Sequence, residues 1–285
     1  MRIGVTFPQT EIGSAVADVR RYAETAEALG YTHLVAYDHV VGADPAVHAD
    51  WSGPYDVDAT FHEPFVLFGF LAGITSLELV PAIIIMPQRQ TALVAKQAAE
   101  VDLLTNGRFR MGVGVGWNHV EFEALGVDFA TRGRRLDEQV ALMRRLWTER
   151  SVQHEGDFDR IPGAGIAPLP IQRPIPIWFG GGSKPAYRRM GRLADGWFPL
   201  MTPGEELDAA CAMIAASAEQ AGRDPAAIGM EGRITWAGDM DAVKAQAEQW
   251  RERGASHVSI NTMGSRLGPL DAHLDVLARV ADALV

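Results

Sequence analysis

Residues 109–117 have the sequence FRMGVGVGW, in which glycine takes every second place of a segment that otherwise resembles a β-strand. Side chains alternate between the two faces of a strand, so Gly112, Gly114 and Gly116 leave one face bare. Glycine inside a strand costs stability and contributes no packing. One bare position is compatible with a bulge, but three in register predict that something flat approaches the backbone on that face.

Strand-like and helix-like segments alternate on both sides of this stretch and form eight strand–helix units. The predicted strands are residues 2–7, 33–37, 77–85, 108–115, 175–179, 196–199, 228–236 and 258–261. The predicted helices are residues 16–29, 64–74, 93–104, 134–147, 185–193, 205–220, 242–253 and 270–284. The strands are apolar runs, as expected of a parallel sheet that is covered on both faces.

Eight such units in 285 residues favour an α/β fold of the (β/α)8 TIM-barrel type, whose typical size is about 250 residues. Two polar, glycine- and proline-rich insertions account for the excess: residues 40–62 after strand 2 and residues 149–173 before strand 5. A doubly wound open sheet is the alternative. No linker or shift in composition divides the chain, so we expect residues 1–285 to form one domain.

Composition excludes several classes of function. The formal net charge is -10 and no block of Lys or Arg occurs, so nucleic acid is not an expected partner. Cys211 is the only cysteine, which excludes an intramolecular disulfide framework and suits a reducing cytoplasm. We see no signal peptide, and the apolar run at residues 77–86 is too short to span a bilayer. We therefore expect a cytoplasmic protein without a membrane segment.

Active-site groups of such barrels lie where strands end and loops begin. This rule selects a set of candidate residues, which are Phe7, Asp38, His39, Met86, Pro87, Gly116, Trp117, Gly180, Gly181, Gly182, Ser183, Trp236 and Asn261. Within it, His39 can donate or accept a proton near neutral pH. Taken alone, a histidine hydrogen-bonded to the loop backbone is the stronger interpretation.

The stretch IWFGGGSKP, residues 177–185, runs from a strand through three glycines and a serine into a helix. Backbone N–H groups at a helix N-terminus bind phosphate, and glycine lets the phosphate come close. The alternative is a tight turn in which Ser183 caps the helix. The position on a late barrel strand favours phosphate, although the spacing differs from that of a P-loop.

The sequence lacks the motifs of metal sites, nucleophilic hydrolases and dinucleotide-binding folds. Histidine spacings typical of metal sites are absent, so no metal is expected. No GxSxG motif occurs and Cys211 falls within a predicted helix, which leaves a nucleophilic hydrolase without a candidate nucleophile. The GVGVGW stretch also lacks the GxGxxG spacing of dinucleotide-binding folds.

Five stretches together resemble the bacterial luciferase-like oxidoreductases, and in particular the actinobacterial branch that uses the deazaflavin coenzyme F420. They are AYDHVV (36–41), the segment from PAIIIMPQ to EFEALGV (81–127), RGRRLDEQVALMRRLW (132–147), PIPIWFGGGS (174–183) and RLADGWFP (192–199). The resemblance implies a (β/α)8 barrel with a flavin or deazaflavin in its mouth. The cofactor phosphate would lie at Gly180–Ser183, and its ring would lie near Gly114, Gly116 and Trp117. A non-prolyl cis peptide would support the ring, with Ala82–Ile83 as the candidate.

The resemblance also implies roles for the residues at the mouth. In this hypothesis His39 transfers the proton that accompanies a hydride, and Asp38 orients His39. Some relatives that oxidise a sugar phosphate have an acidic residue where this chain has Trp117, and Glu121 is a weak substitute for it. The expected substrate contacts are Phe7, Met86, Trp51, Trp117 and Trp236. Residues 40–62, which carry Trp51 and Tyr55, would form a lid that excludes water.

The first hypothesis is therefore hydride transfer between coenzyme F420 and a small organic substrate. An FMN-dependent monooxygenase fed by a separate reductase is the second, and a non-catalytic flavin-binding protein is the third.

The predicted helix at residues 64–74 begins PFVLFGFL and has more apolar residues than a single core-facing stripe requires. An exposed apolar face of this kind, and the pairing of relatives through this region, predict a homodimer in which Phe68 lies at the interface.

Overall fold

A computed structural model describes all 285 residues. Its main feature is a nearly closed barrel of parallel strands surrounded by helices. The barrel strands are β1 (Arg2–Thr6), β2 (His33–Ala36), β3 (Glu78–Pro81), β4 (Ile84–Ile85), β5 (Met111–Gly114), β8 (Ile177–Gly180), β9 (Gly196–Phe198), β10 (Gly229–Thr235) and β11 (His257–Asn261). Their order around the sheet is β3-β2-β1-β11-β10-β9-β8-β5-β4. The predicted barrel is confirmed.

The third predicted strand is divided in two, and this division closes the barrel. The peptide bond between Ala82 and Ile83 is cis, as expected, and it separates β3 from β4. β3 pairs with β2 on one side, while β4 pairs with β5 on the other. A parallel bridge between Leu79 and Phe109 joins the two ends of the sheet. The two segments thus occupy one strand position, which leaves eight positions around the barrel.

The helices follow the predicted order with ends shifted by a few residues. They are α1 (Val16–Ala28), α2 (Pro64–Leu71), α3 (Thr91–Leu104), α4 (His119–Ala124), α5 (Arg132–Thr148), α6 (Lys184–Leu193), α7 (Glu205–Gln220), α8 (Met240–Glu252) and α9 (Leu270–Leu284). The short helix α4 was not predicted. None of the helices combines the length and the apolar character that a bilayer crossing requires.

The two insertions differ in structure. Residues 40–62 form neither helix nor strand. The second insertion contains an antiparallel hairpin of β6 (Val152–Glu155) and β7 (Arg160–Ala164), which was not predicted. Glu138 of α5 supports the hairpin turn, because its carboxylate accepts hydrogen bonds from the N–H groups of Asp157 and Asp159 at 2.9 and 2.8 Å.

The bare face of the glycine strand is covered by protein. A Cβ atom at Gly112 would collide with the carbonyl oxygen of Pro81. A Cβ atom at Gly114 would lie 2.7 Å from Cδ1 of Ile83, and one at Gly180 would lie 2.9 Å from Cγ2 of the same side chain. The prediction that something approaches this face is correct, but at Gly112 and Gly114 the neighbour is the β3–β4 connection. The interpretation that these glycines make room for a ring is therefore corrected, since Ile83 occupies that space.

The lower half of the barrel interior holds a buried ionic network. Arg110 lies 3.0 Å from Glu78 and 2.9 Å from Glu231, and its guanidinium carbon lies 4.4 Å from the centre of the Trp178 ring. Nε2 of His33 is 3.0 Å from the other oxygen of Glu231. These contacts join strands across the barrel. They also give Arg110, Glu78 and Glu231 a partner of opposite charge, which a buried charge requires.

Two members of this network have strongly lowered pKa values. Burial alone would raise the pKa of Glu231, but the adjacent His33 and Arg110 lower it to about 2. Burial and the adjacent Arg110 lower the pKa of His257 to about 3 from its ordinary 6.5. Both groups therefore bind fewer protons in the folded chain than in the unfolded chain at mildly acidic pH.

We expect the free energy of unfolding to fall on acidification, first through His257. Between pH 6.5 and about 3 the unfolded chain protonates this side chain and the folded chain does not. The loss is up to about 1.4 kcal/mol for each pH unit in that window. Urea unfolding of the wild type and of His257→Gln at pH 7.0, 6.0 and 5.0 measures this loss, and the variant should show a shallower pH dependence.

The partly exposed His48 provides the control, because His48→Gln should retain the wild-type slope. Parallel slopes for wild type and His257→Gln between pH 7 and 5 would contradict the prediction.

Candidate functional site

His39 lies in the barrel mouth, three residues beyond β2, and three aromatic rings surround it. Its ring centre is 4.8 Å from that of Phe61, 5.4 Å from that of Tyr55 and 5.6 Å from that of Trp117. The His39 side chain is 12% exposed. A pocket of about 340 Å³ lies beside it, formed by residues of the first insertion together with Asn118. An imidazole, which can exchange a proton near neutral pH, is thus held among aromatic rings and is largely shielded from solvent.

Glu121 is the carboxylate that supports His39. Its Oε2 lies 3.5 Å from Nδ1 of His39 and accepts a hydrogen bond from Nε2 of Gln88 at 3.0 Å. Its Oε1 accepts from the N–H groups of Val40 and Val41, the first residues of the insertion. Burial alone would raise the pKa of Glu121, but the hydrogen bonds from His39, Gln88 and Val40 lower it below its usual value. The group is therefore an ionised, fully buried carboxylate at neutral pH.

Helix α4 places this carboxylate. Asn118 caps the helix, with its side-chain oxygen accepting hydrogen bonds from the N–H groups of Val120 and Glu121 at 3.1 and 3.2 Å. Asn118 followed three residues later by Glu121 fits the spacing of an N-terminal capping pattern. That signal could have predicted α4 from the sequence. It could not have shown that Glu121 contacts His39, because the two residues lie on segments that are far apart in sequence.

Asp38 does not orient His39, so that prediction is wrong. The buried Asp38 carboxylate accepts hydrogen bonds from the Arg89 guanidinium at 2.8 Å and from the Ile85 N–H at 3.0 Å. Burial raises the pKa of Asp38, while Arg89 and the Ile85 N–H oppose the rise. Adjacent side chains leave an extended backbone in opposite directions, so Asp38 points toward β4 and His39 toward α4. Asp38 holds the strand ends together beneath the site.

The glycine-rich turn has the features of an anion site. Ser183 caps α6, and its hydroxyl accepts a hydrogen bond from the Ala186 N–H at 3.4 Å. The N–H groups of Gly181, Gly182 and Ser183 donate to no backbone or side-chain acceptor of the chain. Gly181 has φ +145, a conformation that side chains rarely adopt. The cap and the phosphate interpretation are thus compatible, because the serine cap leaves these donors available to a ligand.

Three of the predicted substrate contacts are buried away from the mouth. Phe7 packs against Tyr22, with ring centres 5.3 Å apart, on the helix-facing side of β1. Met86 has no exposed surface. Trp236 lies in the core between the barrel and the helices. The guanidinium carbon of Arg279 lies over it, 5.1 Å from the centre of the Trp236 ring. These three assignments are corrected, because a residue at the end of a strand can face the helices as easily as the barrel axis.

The other predicted residues lie at the mouth. Trp117 is 39% exposed and its ring centre lies 5.5 Å from that of Trp51, so the insertion packs against the end of the glycine strand. Gly116 lies beneath them with φ +69. Tyr55, expected in the lid together with Trp51, also lines the site. Phe61, which lines it too, was not predicted, because nothing in a polar, irregular insertion singles out this ring.

We expect Glu121→Gln to destabilise the mouth more than Glu123→Gln, its matched control on the exposed side of α4. The amide lacks the charge that His39 and the two N–H groups face, and one of its ends is a donor. The free energy of unfolding should fall by about 1–3 kcal/mol. Urea unfolding measures this change, and hydrogen exchange of residues 38–44 should accelerate. Unchanged exchange in this segment would show that Glu121 does not hold the insertion.

Comparison with known proteins agrees with this architecture. The family model described as luciferase-like monooxygenase matches residues 1–278. An uncharacterised protein of Mycobacterium tuberculosis is 36% identical over 210 residues, which cover 70% of this chain and 71% of that protein. An FMNH2-dependent dimethylsulfone monooxygenase of Pseudomonas putida is 30% identical over 182 residues, or 63% of this chain and 47% of that protein.

Solved structures share the fold at low sequence identity. A monooxygenase from Streptomyces bottropensis has a TM-score of 0.81 at 19% identity and covers 100% of this chain and 98% of its own. An F420-dependent secondary alcohol dehydrogenase has a TM-score of 0.79 at 17% identity and covers 100% of this chain and 99% of its own. The family match over nearly the whole length and the barrel with its mouth insertion lead to one conclusion: the chain belongs to the luciferase-like monooxygenase family.

Proposed function

We propose that the chain is an oxidoreductase that transfers a hydride between coenzyme F420 and a small organic substrate. The observation that carries this proposal is the His39 ring, held between an ionised Glu121 and three aromatic rings at the barrel mouth. Hydride exchange at a carbon that bears oxygen requires a proton to leave or reach that oxygen. A positioned histidine is the side chain most often used for such a step.

The residues present fit a flavin-type cofactor. The free N–H groups of Gly181, Gly182 and Ser183 at the start of α6 would hold its phosphate, and Ile83 at the cis peptide would lie toward its ring. A deazaflavin, when bound, supplies the hydride donor or acceptor. The chain itself then has to bind, orient and protect the reacting groups.

The chain's own side chains divide this work. Glu121 faces Nδ1 of His39, so Nε2 is the nitrogen left to exchange a proton with the substrate oxygen. The ionised Glu121 stabilises the protonated imidazole that results when His39 accepts a proton. Tyr55, Phe61 and Trp117 exclude water from three sides and strengthen this electrostatic interaction.

FMN-dependent oxygenation with a separate reductase is the second candidate function. The sequence similarity to the FMNH2-dependent dimethylsulfone monooxygenase supports it, and the same glycine-rich turn would hold the FMN phosphate. In that case His39 would line the substrate pocket without a required proton transfer. A non-catalytic flavin-binding protein would retain the turn and show no dependence on His39.

We further propose a homodimer that forms through α2. Phe68, expected at the interface, is fully buried beneath the helix. The exposed apolar residues of α2 are instead Val66, 73% exposed, and Phe70, 37% exposed. With Val16 they line a surface depression of about 460 Å³. A second copy related by a two-fold axis would place the same apolar patch against itself.

We expect His39→Gln to lower deazaflavin-linked turnover by about 10²–10⁴-fold and to leave cofactor binding unchanged.

Gly181→Val should instead weaken cofactor binding. A branched side chain would be strained at φ +145 and would block close approach of the cofactor phosphate. Tryptophan fluorescence titrated with coenzyme F420 and with FMN measures binding. Loss of deazaflavin absorbance with a panel of small alcohols and carbonyl compounds measures turnover.

Tight F420 binding with turnover that depends on His39 supports the proposal. Tight binding of FMN alone would transfer support to the monooxygenase. Equal loss of binding and rate in His39→Gln would mean that His39 is structural.

For the dimer, Val66→Glu should yield a monomer in light scattering at low micromolar concentration, because it buries a charge in an apolar contact. Val47→Glu is the matched control, because Val47 is 74% exposed and lies in the first insertion. This control should remain a dimer. A monomeric wild type, or a dimer indifferent to Val66→Glu, would contradict the proposed interface.

A further inference from the structure

Arg233 is a cation inside the barrel mouth. It lies on β10 between Glu231 and Thr235, and residues two apart on a strand share a face. Glu231 contacts Arg110 and His33 across the barrel, so this face points inward. The Arg233 guanidinium donates a hydrogen bond to the Tyr37 hydroxyl at 3.3 Å. Because β1 and β11 lie between Tyr37 and β10 in the sheet, this contact crosses the barrel interior.

The charge of Arg233 has no partner in the chain. No carboxylate lies within ion-pair distance of it, whereas Arg110, one layer below, contacts both Glu78 and Glu231. The side chains of Arg233 and Thr235 are exposed at the mouth, whereas that of Glu231, on the same face of the strand, is buried. A guanidinium has five N–H donors, and here Tyr37 receives one. The remaining donors have no acceptor in the chain and are therefore available to a ligand.

This cation lies close to the His39 site. Tyr55 contacts the His39 ring, with ring centres 5.4 Å apart. Tyr55 is also within electrostatic range of both Tyr37 and Arg233: burial raises the pKa of its phenol, Tyr37 raises it further, and Arg233 opposes the rise. One side chain thus links the proton-transfer group to the unpaired cation.

We propose that Arg233 and the Tyr37 hydroxyl bind a carboxylate of the substrate, so that the substrate is a small organic acid. This assignment rests on the proposed function, in which His39 serves the reacting oxygen. A planar guanidinium matches a carboxylate through two parallel hydrogen bonds. The upper inward faces of β1, β2, β10 and β11 carry no second cation, since their other residues are Thr6, Tyr37, Thr235, Ser259 and Asn261. A single positive charge fits a singly charged carboxylate better than a dianionic phosphate.

Calorimetric titration of the full-length chain with benzoate and with benzamide tests the charge requirement. These probes have the same shape and differ in charge, and their ring suits the aromatic walls of the mouth. The wild type should bind benzoate at least about ten-fold more tightly than benzamide, because a charge-assisted pair supplies that difference. Arg233→Met should remove the preference, and Arg233→Lys should retain part of it. Arg150 is exposed, and its side chain forms no hydrogen bond or ion pair within the chain. The control Arg150→Met should therefore keep the wild-type preference.

A repeat titration on protein saturated with coenzyme F420, and separately with FMN, identifies the source of the anion. A benzoate preference that persists in the cofactor-bound protein supports a substrate carboxylate. Loss of benzoate binding on saturation, together with cofactor binding weakened about ten-fold or more in Arg233→Met, would assign Arg233 to the cofactor and overturn the proposal. Equal binding of the two probes by the wild type, or a preference that survives Arg233→Met, would also overturn it. None of these measurements uses turnover, so a failure of the His39 hypothesis is detected separately.

Discussion

The buried carboxylate of Glu121 is the interaction on which the arrangement of the mouth depends. It joins three segments that are distant in sequence: the start of the first insertion, the short helix α4, and Gln88 beyond β4. An ionised carboxylate without water must satisfy its oxygens from the protein. Here backbone N–H groups, an amide and His39 satisfy them together. The orientation of the insertion and that of the histidine are therefore coupled.

The barrel interior is divided into two halves with different electrostatic character. In the lower half each charge is matched, with Arg110 between Glu78 and Glu231. In the upper half Arg233 lacks an acidic partner, and the N–H groups of the glycine-rich turn lack acceptors. Matched buried charges serve structure, whereas unmatched groups that remain accessible are available to ligands. This division agrees with the general placement of function at the carboxyl ends of barrel strands.

Only a small part of this mouth could discriminate between a deazaflavin and FMN. Both cofactors would present a phosphate to the turn before α6, so that turn does not discriminate between them. Discrimination has to come from residues near the ring and the substrate: His39, the aromatic side chains of the insertion, and Arg233. These residues line the mouth, and their chemistry is suited to moving a proton and holding an anion.

The sequence by itself determined the barrel, because eight apolar strand-like runs that alternate with helix-like segments are local signals. It also placed His39, Trp117 and the glycine-rich turn at the mouth, since strand ends can be counted along the chain. Only the tertiary structure decided the partners. Asp38 pairs with Arg89, Glu121 with His39, and Ile83 covers the glycine strand. The tertiary structure also decided that Phe7 and Trp236 face the helices instead of the barrel mouth. Which face a side chain takes at a strand end, and which charge it meets, depend on contacts between segments far apart in sequence, and no local pattern records such contacts.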